Sequence, residues 1–286
     1  MRKLIIIFMF LMINVWFALG WTPPSPITPP DTIPDAIANM NFGIIGGSVP
    51  AGGAATDYTS DGSMVSYWML EQASGATAVD GHANSNDLAA SSDGSGPTQS
   101  ADAIQGTYSQ DFNSGDSEYF ALADASLSAG FPGKETTGSA GSFSVGCWVK
   151  IDTDNVMDII SKDDGNTGSY KLRYNNPFFI FSVTANGYSA TTITDNTAIT
   201  EDGIVWYHVV GVFDNTNDEI EIFVNGTLNV SAVAYVGLIF LGDIEFRLGK
   251  KDAIFDGHID EAFIMSRDLS AAEVLEIYTS GLAGER

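Results

Sequence analysis

Basic residues, cysteine and long apolar runs are all scarce in this 286-residue chain, and each shortage removes a class of function. Lys and Arg together number 12 against 36 Asp and Glu, for a net charge of −24. Phosphate backbones and anionic lipid surfaces recruit cations, so an excess of carboxylates excludes nucleic acid as a direct partner and disfavours an anionic membrane. The single cysteine, Cys147, rules out an intramolecular disulfide. It sits in "SFSVGCWVKI" in phase with Phe143, Val145, Val149 and Ile151, and reads as a small buried hydrophobe. The three histidines, His82, His208 and His258, are isolated in sequence, with neither an H-E-x-x-H zinc motif nor a cysteine partner. No G-x-S-x-G nucleophile elbow occurs, and the glycine-rich "NFGIIGGSVPAGG" lacks the lysine and hydroxyl of a phosphate loop.

Long apolar runs are confined to the N-terminus. Arg2 and Lys3 precede an apolar stretch from Leu4 to Phe17, followed by Ala18-Leu19-Gly20. A short apolar core, a basic start and small residues at its end form a secretory signal, expected over residues 1–20. The stretch is interrupted by Asn14 and falls short of the roughly 20 apolar residues of a spanning helix. The expected location is secreted, extracellular or at a cell surface, with no membrane insertion after signal cleavage. Six of the ten prolines lie between Pro23 and Pro34, and small residues and glycine follow, so residues 21–62 read as a linker.

From about residue 63 the texture is different. Short aromatic and β-branched runs alternate with Gly, Asn and Asp clusters: "MVSYWML", "TYSQDF", "EYFAL", "SFSVGCWVKI", "VMDIIS", "SYKLRY", "FFIFSVTA", "VWYHVVGVF", "EIEIFV", "IEFRLG" and "HIDEAFIMS". These predict an all-β domain over 63–286. So many strands, each with a face to bury, require two stacked sheets, an antiparallel jelly-roll sandwich. Asn225-Gly226 suits a tight hairpin turn. One short C-terminal helix is predicted in "DLSAAEVLEIYTSG": Ser270 and Glu273 make a capping box, Val274, Ile277 and Tyr278 an apolar stripe, and Gly281 a terminator.

The ordered series "VSYWMLEQASGATAVDGHANSNDL", "DFNSGDSEYFAL", "SFSVGCWVKI", "WYHVVGVFDNTNDEIEIFVNG" and "FRLGKKDAIFDGHIDEAFIMSRDLSAAEV" resembles the laminin-G-like jelly rolls of the concanavalin A-like lectin and glucanase superfamily. The likeness runs from about Ser63 to Gly281, with Asn225 where the family usually carries Asp in its V-D-G turn. It implies a jelly roll, and it raises both glycoside hydrolysis and calcium as expectations to weigh.

Retaining glucanases of this fold carry two carboxylates on alternate positions of one strand, as E-x-D-x-x-E, and no such string occurs here. Asp260 and Glu261 are neighbours on a predicted strand, whose alternation would send them to opposite faces. No catalytic residues are assigned. Calcium takes six to eight oxygens from carboxylates and carbonyls. Its candidate ligands are Asp260, Asp116 in "SGDSEYF", and Asp80 and Asn84 in "DGHANSND", while Asp260 fits equally well as a cap on backbone amides of an adjacent loop. Asp214 and Asp218, like Asp163, Asp164 and Asn166, read as turn residues.

Sugar recognition needs an aromatic platform beside polar groups. Tyr170, Tyr174, Asn175, Asn176 and Tyr188 are the candidates, with Phe178 and Phe179 flanking the same "RYNNP" turn. The sequence thus predicts a non-enzymatic recognition module for a glycan or surface protein. The rivals are a structural component of a surface appendage or virus particle and a divergent glycoside hydrolase.

Overall fold

A computed structural model describes residues 55–91, 96–164, 168–250 and 253–284. The expected signal over 1–20, most of the expected linker, and Asn166 lie outside the described residues.

Two antiparallel sheets face each other. The first contains β1 (Met64–Trp68), β3 (Thr98–Ser100), β4 (Ser109–Phe112), β6 (Phe143–Ile151), β11 (Trp206–Asp214), β12 (Glu219–Val224), β13 (Thr227–Leu228), β14 (Val233–Ala234) and β16 (Gly257–Met265). Its order is β13-β12-β11-β6-β16-β4-β3, with β1 also on β16 and β14 also on β12. The second contains β2 (Ala89–Ala90), β5 (Phe120–Leu122), β7 (Met157–Lys162), β8 (Tyr170–Asn175), β9 (Phe178–Thr184), β10 (Ala190–Thr194) and β15 (Phe246–Leu248), in the order β10-β9-β8-β7-β15-β5-β2. All eleven strand-bearing segments expected from the sequence are strands. The additions, β2, β3, β10, β13 and β14, are short or polar: in β10 only Ile193 is buried.

The layer between the sheets is filled by alternate residues of the strands, with the phase shifting at irregularities in β1, β7 and β16. Trp68 stacks on Phe246 across the sandwich, with ring centroids 5.2 Å apart, and Phe131 meets the same ring edge-on at 5.3 Å. Gly211, in the middle of β11, lets Phe181 of the facing sheet approach: a β-carbon there would lie 2.4 Å from its ring. Residues of the other parity are buried too. Val210, Val212, Phe263 and Met265, on the far face of the first sheet, are covered by Tyr58, Leu269, Val274, Ile277 and Leu282. This second layer explains why all nine residues of β6 are buried, rather than every other one.

The covering element is helix α1 (Ala271–Ser280), with both halves of the Ser270–Glu273 capping box formed and Gly281 as its C-cap. Tyr278 stacks on Trp148 at 5.4 Å, and His208 lies against the same indole at 5.1 Å. Tyr58 is 3% exposed and its N–H donates to the Leu282 carbonyl, so the folded part reaches back beyond the expected start at residue 63. Asn225 and Gly226 both adopt positive φ, 51° and 73°, as a two-residue hairpin turn requires. Cys147 is fully buried and unpaired.

One buried cation joins three segments. The Lys162 Nζ donates to Asp124 Oδ1 at 2.7 Å and to the carbonyls of Gly242 and Ile244 at 2.8 and 2.6 Å, with no solvent exposure. Burial draws its pKa down, and Asp124 opposes that shift. Lys162→Met should therefore lower stability in urea unfolding by about 3–5 kcal/mol, because Asp124 would be left as a buried anion without its cation.

Candidate functional site

Register assembles a polar row at the end of the first sheet where β6 and β4 finish and β11 and β16 begin. Asp111 pairs with His258, His258 with Lys150, and Lys150 with Trp206. Directly paired residues share a face, so these four side chains, from β4, β16, β6 and β11, stand side by side. The alternate residues Phe112, Ile259, Ile151 and Tyr207 enter the layer between the sheets. The row therefore lies on the outer face.

Asp102, from the β3–β4 loop, crosses the row's end. Its carboxylate accepts from Lys150 Nζ and, at 3.2 Å, from the Trp206 indole N–H. The bond from Lys150 holds the Asp102 carboxyl below its usual range, against a smaller opposing effect of burial. Trp206 is half-buried. Lys150 Nζ lies 5.6 Å from its ring centroid, and the His258 ring meets its edge at 6.1 Å. Ile204 and Val205, just before it, are exposed.

Beyond Lys150, the chain turns outward at Asp152, whose N–H donates to the carbonyl of Asp256 at 3.2 Å. Asp111, Asp152 and His258 each place a ligand-type atom within 4.8 Å of the others. Burial raises the Asp152 pKa, with His258 opposing that and Asp111 and Asp256 adding to it. Burial lowers that of His258, against the opposing pull of Asp111. His258 Nε2 sits 3.1 Å from Ser100 Oγ.

The sequence-predicted ligands fall elsewhere. Asp260 is fully buried, with Oδ2 accepting the amides of Ile104 and Gln105 at 3.0 and 3.3 Å and Oδ1 accepting that of Glu261 at 3.0 Å. This is the capping arrangement. Asp80 accepts the amides of Tyr67, His82 and Asn86, and Asn84 donates to the Val65 carbonyl. Asp116 is exposed on a single 3-10 turn, Ser114–Asp116. Asp80 and Asp260 each accept three backbone amides, and among the described residues none of these carboxylates belongs to a group of three or more His, Cys, Asp or Glu ligand atoms close enough to share an ion.

The aromatic candidates also need correction. Tyr170 and Tyr174 are 1% and 0% exposed and belong to the inter-sheet core, where neither can offer a platform. Phe179 is buried with them. Asn175 is half-buried, and Asn176 is exposed with its amide on the Asp154 carbonyl. Tyr188 is 69% exposed, in the β9–β10 hairpin, at the opposite end of the sandwich from Asn176. The expected strand alternation at Asp260 and Glu261 fails as well. Between Asp260 opposite Trp148 and Phe263 opposite Gly146 the ladder contains one extra residue, a bulge, with Glu261 at φ 50°. Burial and amide bonding, not alternation, define the place of Asp260 in the sheet.

Trp206, Lys150, Asp102, Asp111 and Asp152 were missed. Their one signal was a lysine inside the otherwise apolar "SFSVGCWVKI". The partners that give it meaning, Asp102 in the β3–β4 loop, Trp206 on β11 and His258 on β16, are all distant in sequence.

The laminin G family model of the concanavalin A-like lectin/glucanases superfamily matches residues 114–275. No curated protein matches the chain in sequence. Among solved structures, the receptor-binding domain of botulinum neurotoxin type G aligns with TM-score 0.54 and 15% identity over 76% of this chain and 51% of that one. The ligand-binding domain of serotype D, solved with N-acetylneuraminic acid, gives 0.55 and 16% over 76% and 50%. The binding domain of neurotoxin DC, solved with rat synaptotagmin II, gives 0.55 and 13% over 76% and 51%. At such identities the likeness is one of fold, and the chain spans about half the length of these structures.

Asp260 yields a pH test. Burial raises its pKa from 3.8 to about 7, outweighing the three amides that favour the anion. The folded state then holds a proton that the unfolded chain releases from about pH 4 upward, so this contribution to stability falls as pH rises from about 4 to 7 and is flat above. Denaturant unfolding of wild type and Asp260→Asn across that range should show the variant gaining on wild type with rising pH. A difference independent of pH would contradict the assignment.

Proposed function

Because the chain belongs to the concanavalin A-like lectin/glucanase superfamily, we propose that it is an exported recognition module that binds carbohydrate without cleaving it. The observation that carries this reading is the outer-face row ending in Trp206. A half-buried indole next to exposed Ile204 and Val205 offers an apolar surface to the C–H face of a sugar ring. The exposed carboxylates of Asp102 and Asp152 stand at the same strand ends as acceptors for hydroxyls, with Lys150 and His258 packed behind them. Fixed on strands and braced by Asp102, these groups are ordered before a ligand arrives, which lowers the entropic cost of binding. Export is supported by the signal-type N-terminus, and among the described residues no helix is long and apolar enough to cross a membrane. The partners of the structural relatives, N-acetylneuraminic acid in one and the protein synaptotagmin II in another, support the two ligand classes expected of this chain. The row favours the glycan over the protein.

A second reading has one foothold. Carboxylate oxygens of Asp111 and Asp152 lie within 4.8 Å of each other, a close pair of the general kind that retaining glycosidases use. The His258 ring shares that space, which favours a binding role over an open catalytic gap.

The exported chain, probed on a glycan array with parallel assay of released reducing ends, should bind at least one glycan class and release nothing. Trp206→Ala should weaken that binding at least about tenfold while leaving the far-ultraviolet circular dichroism unchanged. Sugar release that disappears in Asp152→Asn would establish hydrolysis instead. Binding untouched by Trp206→Ala would place the ligand elsewhere.

A further inference from the structure

The Asp111–Asp152–His258 group combines two carboxylates and an imidazole, and among the described residues it differs from the acids that close turns in what its members leave unsatisfied. Asp61, Asp80, Asp195, Asp202, Asp214 and Asp260 each accept nearby backbone amides. Among the described residues, the Asp111 and Asp152 carboxylates have no hydrogen bond or ion pair, although they stand close together and near Asp256. Lys150, the nearby cation, is committed to Asp102. The third member is independent evidence of a missing partner. His258 Nδ1 is screened from solvent and has no hydrogen-bond partner, while Nε2 meets Ser100 Oγ. Buried polar atoms are normally satisfied, and an orphaned one calls for an explanation.

We propose that Asp111, Asp152 and His258 form a site for a first-row divalent metal ion of borderline softness, with zinc as its representative. An imidazole among carboxylates suits zinc and its neighbours in that series, whereas calcium and magnesium prefer sites made wholly of oxygen. Bonds of about 2.1 Å in a tetrahedral arrangement set ligand atoms about 3.4 Å apart. The three atoms already lie within 4.8 Å of one another, so closure on the order of 1 Å by side-chain rotation completes the set. Three protein ligands leave the remaining position to water or to an oxygen of a bound molecule. The ligands come from β4, from β16 and from the turn after β6, so the ion would tie three strand ends together. It would also neutralise carboxylates whose nearby cation, Lys150, is bonded to Asp102 instead. The site stands independently of the glycan reading.

The test is titration of zinc into the exported chain by calorimetry, repeated with excess calcium and magnesium, and with cobalt as a spectroscopic substitute. One equivalent of zinc should bind and should not be displaced by calcium, and bound cobalt should show visible bands characteristic of nitrogen and oxygen ligation. Asp152→Asn and His258→Gln should each weaken zinc binding at least about tenfold. Asp152 lies at an exposed turn, so its variant tests the site even where the histidine variant fails to fold. Absence of saturable binding, affinity unchanged in a folded Asp152→Asn, or displacement by calcium would each overturn the proposal. Loss of glycan binding with zinc binding retained, or the reverse, would separate the two readings.

Discussion

The carboxylate of Asp260 governs how the first sheet is assembled. One edge of β16 has two partners: β4 pairs with Gly257 to Ile259, and β1 with Ala262 to Met265. The other edge runs along β6 throughout. At the changeover the ladder takes in one extra residue, and Glu261 enters the left-handed region, a conformation that costs a non-glycine residue of order 1 kcal/mol. Asp260 offsets that cost locally by accepting the Glu261 amide on Oδ1. With Oδ2 it holds the Ile104 and Gln105 amides of the β3–β4 loop. Glu71, just after β1, receives Thr107 and Tyr108 of the same loop. Two buried or half-buried acids thus anchor the connection that brings Asp102 to Lys150 and Trp206. The geometry of the outer-face row depends on a bulge several residues away.

A chain with three acids for every base finds much of its acidity used in this way. Asp57, Asp61, Asp195, Asp202 and Asp214 each accept the amide two residues ahead, closing turns without a disulfide. Short polar loops closed by their own carboxylates are one answer to the problem of a domain with a single cysteine. The buried Lys162 is another, since it gathers Asp124 and two carbonyls where no bridge could. Carboxylates spent on turns are poor candidates for metal, which is why acidic composition alone says so little about cation binding.

Much of the fold was legible because its signals are local. The capping box of α1, the Asn225-Gly226 turn, the burial of Cys147 and the long strands all follow from neighbours in sequence. The strands that escaped are those whose residues gain nothing from burial on their own: β10 is a run of threonines around one buried isoleucine. The site escaped for a related reason. Tyr170 and Tyr174 look like surface aromatics when read beside a polar turn, yet the strand between them places both in the inter-sheet layer, alternating with Lys171 and Arg173. Trp206 looks like the first residue of an ordinary apolar strand, and nothing nearby in sequence marks it out. Its neighbours, Lys150 and His258, are given by register, which depends on the whole sheet.

Register also limits what the row can become. Asp111, His258, Lys150 and Trp206 alternate with Phe112, Ile259, Ile151 and Tyr207, so a slip of one residue in any of these strands would send a charged group into the core and an aromatic or aliphatic one outward. The hydrophobic layer therefore enforces the polar row. Outer-face residues further along the same strands, Val210, Val212 and Phe263, are covered by α1 and the N-terminal segment around Tyr58. The row lies past the end of that cover, where the face turns from apolar to polar. Recognition chemistry can accumulate there without exposing the core, because the residues that change are not the ones that hold the sheets together.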